Sequence, residues 1–181
     1  MTPTWRNRAI GLVLAAAIYG LDRWIKALVM GPWQLREVRV IELLPFFDLR
    51  WTQNFGVSLG LFDASSPEMR WGLVAVTGLI ALVVFVWLLR ERLLPDIAGL
   101  GMILGGALGN IEDRYRLGYV IDYADFHIGT FRPFLVFNVA DAAITIGVLI
   151  ILARALFMRE KPPAAQDEIV ADQTAENSTN A

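Results

Sequence analysis

Two aspartates, Asp122 and Asp141, are the residues of this chain whose type and position best suit chemistry. Asp141 ends the run Phe137-Asn138-Val139-Ala140-Asp141 at the start of a long apolar stretch, and Asp122 lies in the segment leading to that stretch. Ionisable side chains in membrane-like surroundings are costly and therefore indicate function. Two neighbouring carboxyl groups can share one proton, because like charges at close range do not both ionise easily. We therefore predict that Asp122 and Asp141 form an acid–base pair.

The composition excludes most other catalytic arrangements. The absence of cysteine excludes disulfides, thiolate metal sites and a cysteine nucleophile. The single histidine, His127, argues against a serine–histidine triad and rules out a metal site with several histidines. Hydrophobic residues make up 56% of the 181 residues and the mean hydropathy is +0.50, which is typical of a membrane protein. The net charge of −2, with no basic block, predicts no nucleic-acid partner.

Four stretches are apolar enough to be considered as membrane spans, each of which needs about 20 residues. Backbone in lipid must satisfy its own hydrogen bonds, so each span is expected to be a helix. For the first stretch, a cleaved secretory signal peptide is an alternative, but its apolar character continues as far as Val29. We predict an all-α membrane protein with one domain, 1–160, and a disordered polar tail, 161–181. The predicted spans cover residues 9–30, 71–89, 97–111 (short and rich in glycine) and 137–157.

The connections between the spans predict an orientation and a small sheet. Basic residues are densest in the short flanks, which favours both termini in the cytoplasm. In the first outer loop, 38–40 and 47–51 alternate apolar and charged residues, the period of half-buried strands. We expect a small sheet on the outer membrane surface, followed by a second helix that begins at Pro67. Three aromatic residues of this loop are expected at the membrane interface: Phe46, Phe47 and Trp51.

Small and charged residues also recur at helical spacings. Gly101, Gly105 and Gly109 lie four residues apart, which favours close helix packing over a phosphate-binding loop. Asp22 and Lys26 share one face of the first helix, with the acid on the amino-terminal side that such pairs prefer. We interpret Asp22 and Lys26 as a structural ion pair.

Two further groups of polar residues have two readings each. Asn110, Asp113 and Arg114 cluster at the end of the third span, where the last two either form an interfacial ion pair or belong to a site. Asn54 and Gly56 suit a tight turn after the predicted strands. An amide in that position can also hold a peptide backbone.

Five short blocks together resemble the lipoprotein signal peptidases, the type II signal peptidases of bacteria. Each block alone is weak evidence, but the five occur in order on a four-helix plan that covers residues 9–157. The blocks are Asp22-Arg23-Trp24-Ile25-Lys26, Thr52-Gln53-Asn54-Phe55-Gly56-Val57-Ser58, Gly105-Gly106-Ala107-Leu108-Gly109-Asn110-Ile111-Glu112-Asp113-Arg114, Val120-Ile121-Asp122-Tyr123 and Phe137-Asn138-Val139-Ala140-Asp141.

The resemblance implies an aspartyl endopeptidase of the bacterial inner membrane, with a small sheet and a short helix on the periplasmic face. It implies that Asp122 and Asp141 are catalytic, near that face. Enzymes of this family cut the signal peptide from prolipoproteins before a cysteine that carries a diacylglyceryl group, and the substrate enters laterally from the bilayer. Expected partners are therefore such prolipoproteins and membrane lipid, with no cofactor, metal or obligate protein partner. Residues implied to line or brace the site are Asn54, Gly56, Asn110, Asp113, Arg114 and Asn138.

The sequence departs from the usual pattern of this family at three places. Glu112 stands where an apolar residue is usual, and Ala142 follows Asp141 where a serine is common. Leu59-Gly60 replaces a step that usually contains phenylalanine. None of these removes a catalytic acid, although Ala142 alters the surroundings of Asp141.

Two other classes of protein explain parts of the sequence. A small transporter or proton relay would use intramembrane acids, but it would distribute them across the bilayer. Here the acids are expected near one face, and the second span carries none. An assembly partner held by glycine-packed helices would explain the third span but not the acids. A peptidase explains both features and is preferred.

Overall fold

The computed structural model describes residues 3–56 and 66–157, and within these ranges the chain forms five helices and three strands. The predicted tail, 161–181, and the block residues Val57 and Ser58 lie outside the described residues, as does Leu59-Gly60. In chain order the elements are α1 (Pro3–Met30), α2 (Leu35–Val38), β1 (Val40–Leu44), β2 (Phe47–Asn54), α3 (Pro67–Arg90), α4 (Leu94–Leu117), β3 (Val120–Phe126) and α5 (Val139–Phe157).

Within the described ranges, three helices are long and apolar enough to cross a membrane: α3, α4 and α5. As predicted, α3 begins at Pro67, where the hydroxyl of Ser66 accepts the N–H of Met69 at 3.2 Å and caps the helix. The prediction of a short third span, 97–111, was wrong, because α4 has 24 residues. Its polar last turns stay helical because Asp113 is buried against α1 instead of facing water.

The first helix differs from the other three long helices in composition. It is long enough at 28 residues, but charged residues lie near both of its ends. Asp22 and Lys26 are fully buried against the rest of the bundle, so these charges do not face the surroundings. The surface that α1 leaves exposed carries large apolar side chains, namely Ile10, Val13, Leu21 and Trp24.

The fourth helix lies at the centre of the bundle and contacts α1, α3 and α5. Gly105 packs against α1, where an added Cβ would lie 2.4 Å from the backbone oxygen of Ala15. Gly106 faces the opposite side, where an added Cβ would lie 2.4 Å from the backbone oxygen of Ala140 in α5. Small residues allow helix backbones to approach closely, so the packing interpretation of the glycine spacing is confirmed.

The three strands form one antiparallel sheet in the order β1-β2-β3. The predicted strand 47–51 lies within β2 and is confirmed. The predicted strand 38–40 was mostly wrong, because Val38 ends the short helix α2, Arg39 caps it and β1 begins only at Val40. The third strand was not predicted. Six of its seven residues are buried, so it lacks the alternation that marks a half-exposed strand. The register places Asp122 of β3 opposite Thr52 of β2.

The aromatic residues of the first loop do not all lie where the sequence predicted. Phe46 is exposed, whereas Phe47 is only partly exposed and packs against the core of the sheet. Trp51 is 7% exposed, so its prediction as an interfacial residue was wrong. Its ring belongs to a buried core that also contains Val29 of α1 and Leu35 of α2.

Candidate active site

Asp122 and Asp141 come from different elements and meet at one site. Asp122 lies on β3 and is 1% exposed, whereas Asp141 lies in the first turn of α5. Asn138 joins the two residues: its Nδ2 donates to Asp122 Oδ1 at 2.7 Å, and its Oδ1 accepts the N–H of Asp141 at 2.9 Å. One amide side chain therefore fixes the strand carboxylate and the helix carboxylate relative to each other.

The same residues cap the fifth helix. Asn138 directly precedes α5, and its side chain accepts the N–H of Asp141, three residues later. In return, Asp141 Oδ2 accepts the backbone N–H of Asn138 at 3.2 Å. This reciprocal arrangement is a capping box, which satisfies two backbone N–H groups that the first turn of a helix leaves free. The cap therefore sets the orientation of the Asp141 carboxylate.

Two further amides donate to the carboxylates. Asn54 Nδ2, at the end of β2, lies 3.0 Å from Asp122 Oδ2, and Asn110 Nδ2, in α4, lies 2.7 Å from Asp141 Oδ1. The backbone N–H of Gly56 donates to Asn54 Oδ1 at 2.8 Å. This turn gives Gly56 a φ of +85°, which glycine adopts without the usual strain. It also points the NH2 group of Asn54 toward Asp122.

Four charged residues form a neutral group next to the aspartates, which we name the support cluster: Asp22, Arg23, Lys26 and Asp113. Lys26 Nζ lies 2.9 Å from Asp22 Oδ2 and 2.7 Å from Asp113 Oδ2. Arg23 Nη2 lies 2.7 Å from Asp113 Oδ1. The predicted Asp22–Lys26 pair is thus present within a larger network. Arg23 was not predicted as a site residue, although it lies in the first block of the resemblance, beside Asp22.

The support cluster contacts three of the elements that carry candidate site residues, namely α5, β3 and α4. Asp22 Oδ1 accepts the backbone N–H of Ala140 in α5 at 3.3 Å, and Asp113 Oδ2 accepts that of Ile121 in β3 at 3.2 Å. Lys26 Nζ lies 3.5 Å from Asn110 Oδ1, so the oxygen of this amide faces the lysine and its NH2 group faces Asp141. The cluster thus positions α5, β3 and Asn110 together.

Arg114 and Asp113 do not form the ion pair that one reading of the sequence suggested. Successive helical residues point about 100° apart, and Asp113 faces α1 while Arg114 faces the aspartates. The charge of Arg114 interacts electrostatically with Asp141 and Asp122. Its guanidinium also lies against the turn after β2, where a Cβ on Gly56 would be 3.4 Å from Arg114 Nη2.

The surroundings of Asp122 favour a proton on this residue. Burial, and next the neighbouring Asp141 carboxylate, raise the pKa of Asp122 to about 7, although N–H donation from Asn54 and Asn138 lowers it. With a pKa of about 7, Asp122 is present in both its protonated and its ionised form near neutral pH, so its carboxyl group can donate or accept a proton beside Asp141.

An apolar groove of about 330 Å³ opens beside Asp141. Asp141 is its one charged lining residue, and Ala142, where the sequence departs from the expected serine, also lines it. An apolar chain in this groove would therefore contact one carboxylate. The remaining lining residues are Phe134, Leu135, Phe137, Thr145 and Ile146.

Residues 14–157 match the family model described as signal peptidase (SPase) II. The chain belongs to this family. A lipoprotein signal peptidase of Rhizorhabdus wittichii is 54% identical over 165 residues, which cover 91% of this chain and 96% of the relative. The lipoprotein signal peptidase of Sphingopyxis alaskensis is 53% identical over 151 residues, covering 83% and 87%. The protein is therefore a signal peptidase II, a protease, and the transporter and assembly-partner readings are set aside.

Solved structures support the fold of this signal peptidase II. Two structures described as a bacterial membrane enzyme by the in meso method superpose with TM-scores of 0.69 and 0.72. They cover 85% and 82% of the chain, at 23% and 24% sequence identity. At that identity the likeness concerns the fold alone, and it agrees with apolar helices that carry a small antiparallel sheet.

The described part of this signal peptidase II, residues 3–56 and 66–157, contains no group of three or more acidic or histidine side chains arranged to hold a metal ion. The groups that the site itself offers for chemistry are two carboxylates held between amide donors.

Proposed function

We propose that this signal peptidase II removes the signal peptide from prolipoproteins, cutting before a cysteine that carries a diacylglyceryl group. The reaction is the hydrolysis of one peptide bond, with Asp122 and Asp141 as its acid and base. The observation that carries the assignment is the double contact of Asn138, which holds the two carboxylates at one site beside an apolar groove.

In the proposed mechanism, ionised Asp141 takes a proton from a water molecule that attacks the scissile carbonyl. Asp122 keeps the shared proton, donates a hydrogen bond to the carbonyl oxygen and then protonates the leaving amine. Two features support this division of roles. The pKa of Asp122 is raised to about 7, and the amino terminus of α5 stabilises the negative charge of Asp141.

The surrounding residues have supporting roles in this proposal. Asn54, Asn110 and Asn138 orient the carboxylates through their NH2 groups. Gly56 fixes the amide of Asn54 and leaves room for Arg114, whose positive charge offsets the charge that the pair retains. The support cluster, with Asp22, Lys26 and Asp113, holds the helices and β3 in place and does not take part in the chemistry.

The groove beside Asp141 supports the proposal that the substrate is lipid-modified. Its lining is apolar apart from Asp141 and the hydroxyl of Thr145, and one wall is the exposed face of a helix apolar enough to span a membrane. A substrate held in the bilayer by its signal peptide and acyl chains reaches the carboxylate along this face. Membrane lipid and prolipoproteins are the partners we propose, with no cofactor and no obligate protein partner.

We also propose α1 as a fourth span, because it runs alongside α4 for its whole length. At one end, Asn7 Nδ2 donates to the backbone oxygen of Arg92 in the α3–α4 connection at 3.2 Å. At the other end, Lys26 pairs with Asp113 near the end of α4. The charges that distinguish α1 from an apolar span are paired inside the bundle, which reduces their cost in lipid.

Four spans would place both termini on the same side. Two contacts lie at the end of the bundle away from the aspartates. One joins α1 to the α3–α4 connection, and the other joins Arg154, near the end of α5, to Asp96 at 2.7 Å. We propose a single domain, 1–160, in the inner membrane. This end of the bundle and the tail, 161–181, then lie on the cytoplasmic side. The aspartates, the sheet and the short helix α2 then face the periplasm.

The function is tested with the full chain purified in detergent and a synthetic peptide whose cysteine carries a diacylglyceryl group. Cleavage before that cysteine is expected, and an unlipidated copy of the peptide should not be cut. Asp141→Asn and Asp122→Asn should each lower turnover by on the order of 10²–10⁴. The matched control is Asp96→Asn, at the far end of α4, which should retain turnover.

Near-normal turnover by either site variant would refute the proposed pair. Equal cleavage of the unlipidated peptide would refute the lipid requirement while leaving the assignment as a protease intact.

Single-cysteine variants test the topology, since the native chain has no cysteine. With a membrane-impermeant maleimide, Asn7→Cys and Arg92→Cys should react from one side and Glu37→Cys from the other. Labelling of Asn7→Cys from the same side as Glu37→Cys would exclude α1 as a span.

A further inference from the structure

The connection between β3 and α5 exposes an unusual amount of apolar surface. Residues 128–135 are all exposed, and half of them are large and hydrophobic. Soluble surfaces rarely keep large apolar side chains together in this way, and such clusters mark interaction surfaces. We name this segment the apolar loop. Its large apolar residues and their exposed fractions are Ile128 at 64%, Phe131 at 64%, Phe134 at 63% and Leu135 at 87%.

The apolar loop has a defined conformation. Ile128 and Phe131 exchange both backbone hydrogen bonds, at 2.8 and 3.1 Å, around a turn in which Gly129 has a φ of +60°. Directly paired residues project from the same face of a hairpin, so these two side chains lie side by side. Phe134 packs 6.5 Å from Phe126, ring centre to ring centre, and joins the loop to the sheet. The apolar side chains therefore form a fixed surface.

The one charged residue of the loop is turned toward the sheet. Arg132 Nε lies 3.1 Å from both carboxylate oxygens of Asp125, which is fully buried on β3. Arg50 of β2 binds the same carboxylate, with its Nε 2.6 Å from Asp125 Oδ2. The guanidinium of Arg132 is thus paired, and the exposed side of the loop keeps its hydrophobic character.

The position of the loop identifies what covers it. It runs directly into α5, whose 19 residues span about 28 Å, close to the ~30 Å thickness of a bilayer core. The exposed side of α5 carries Ile146 and Leu149, and the groove joins the two surfaces, because Phe134 and Leu135 form one wall and Ile146 the other. The apolar surface of the loop therefore continues the lipid-facing surface of the helix.

From this continuity we propose that the apolar loop inserts into the lipid leaflet at the amino-terminal end of α5. Phe131 and Leu135 reach below the head groups, and the paired Arg132 stays at the interface, where basic side chains are favoured. The loop thereby holds the mouth of the groove, and with it Asp141, at a constant depth. This inference rests on α5 as a span and not on the proposed substrate.

The test is the depth of nitroxide labels on single cysteines in the full chain, reconstituted in liposomes of phosphatidylcholine and phosphatidylglycerol. Phe131→Cys and Leu135→Cys probe the loop. Leu149→Cys is the lipid reference and Glu37→Cys, exposed on α2, is the water reference. Power saturation compares collisions with oxygen, which concentrates in lipid, and with a water-soluble nickel chelate. Unchanged melting temperatures of the labelled variants establish that the fold is retained.

We expect the ratio of oxygen collisions to nickel-chelate collisions to be several-fold higher for both loop labels than for Glu37→Cys. The same ratio should place both labels at a shallower depth than Leu149→Cys. Nickel access equal to that of Glu37→Cys would overturn insertion. Labels shielded from both reagents would also overturn it and would identify a contact between copies of the chain. Because no catalytic residue is changed, the outcome is independent of whether the lipidated peptide is cleaved.

Discussion

Replacing Asn138 by serine should leave α5 capped while removing the N–H donor that holds Asp122. Serine and asparagine are comparable helix caps, so the serine hydroxyl can still accept the N–H of Asp141. Its shorter side chain does not extend to Asp122 Oδ1, which lies 2.7 Å from Asn138 Nδ2. Asn138→Ala removes both interactions. The two variants therefore separate the helix cap from the positioning of the carboxylate.

The expected magnitudes follow from these contacts. Loss of the buried hydrogen bond to Asp122 should destabilise either variant by about 1–3 kcal/mol. Loss of the cap should lower the free energy of unfolding of Asn138→Ala by a further ~0.5–2 kcal/mol. A displacement of about 1 Å in a reacting group costs on the order of 10² in rate. Both variants should therefore lose turnover to a similar extent, while Asn138→Ala melts at a lower temperature.

The pH dependence gives a second readout. N–H donation from Asn138 lowers the pKa of Asp122, so its removal should raise that pKa further above its present value of about 7. In the proposed mechanism protonated Asp122 is the acid, and activity is lost as the pH rises through this pKa. The alkaline limb of the rate profile should therefore move to higher pH in Asn138→Ser. The assay is cleavage of the lipidated peptide in detergent from pH 5 to 9.

A serine variant with near-normal turnover and an unmoved alkaline limb would refute this reasoning and leave Asn138 as a helix cap only. Gly99→Ala is the matched control for general destabilisation. An added Cβ there would lie 2.9 Å from the backbone oxygen of Gly147, within the α4–α5 contact and away from the aspartates. It should lower the melting temperature without moving the pH profile.

Four other substitutions test stability through thermal unfolding in detergent. Asp122→Asn should raise the melting temperature at pH 8 but not near pH 4. The raised pKa of Asp122 means that the stability of the native protein falls as the pH rises from about 4 to about 7, and asparagine removes this loss. Equal shifts of the melting temperature at both pH values would contradict this. Gly105→Ala, with a Cβ 2.4 Å from a backbone oxygen of α1, should cost about 1–3 kcal/mol, whereas Gly78→Ala, with open space around it, should be neutral or stabilising. Asp22→Asn should lower stability and yield and spare the turnover of the folded fraction; loss of turnover in well-folded protein would give Asp22 a part in the chemistry.

The helices and the two aspartates could be predicted from the sequence because each has a strong local signal. A long apolar run predicts α3 or α5 directly, and a carboxylate at the edge of such a run is conspicuous. Asn138 was available through the resemblance, but its capping role was also readable locally, since an asparagine followed three residues later by an acid is a capping pattern.

What the sequence did not predict depends on contacts between distant segments. The strand β3 is buried on both faces, so its residues do not alternate, and Asp122 and Asp125 interrupt its apolar character. The end of α4 was placed too early because Asp113 looks exposed in the sequence. Its partners Lys26 and Arg23 lie on α1, almost ninety residues away, and only the fold brings them together.

The support cluster has a consequence for a protein embedded in a membrane. Its two acids and two bases sum to zero charge, and a singly protonated aspartate pair is balanced by Arg114. A unit charge displaced across a membrane gains about 2.3 kcal/mol per 100 mV, whereas a neutral assembly gains nothing. In that protonation state these residues together carry no net charge on which a transmembrane voltage could exert a net force.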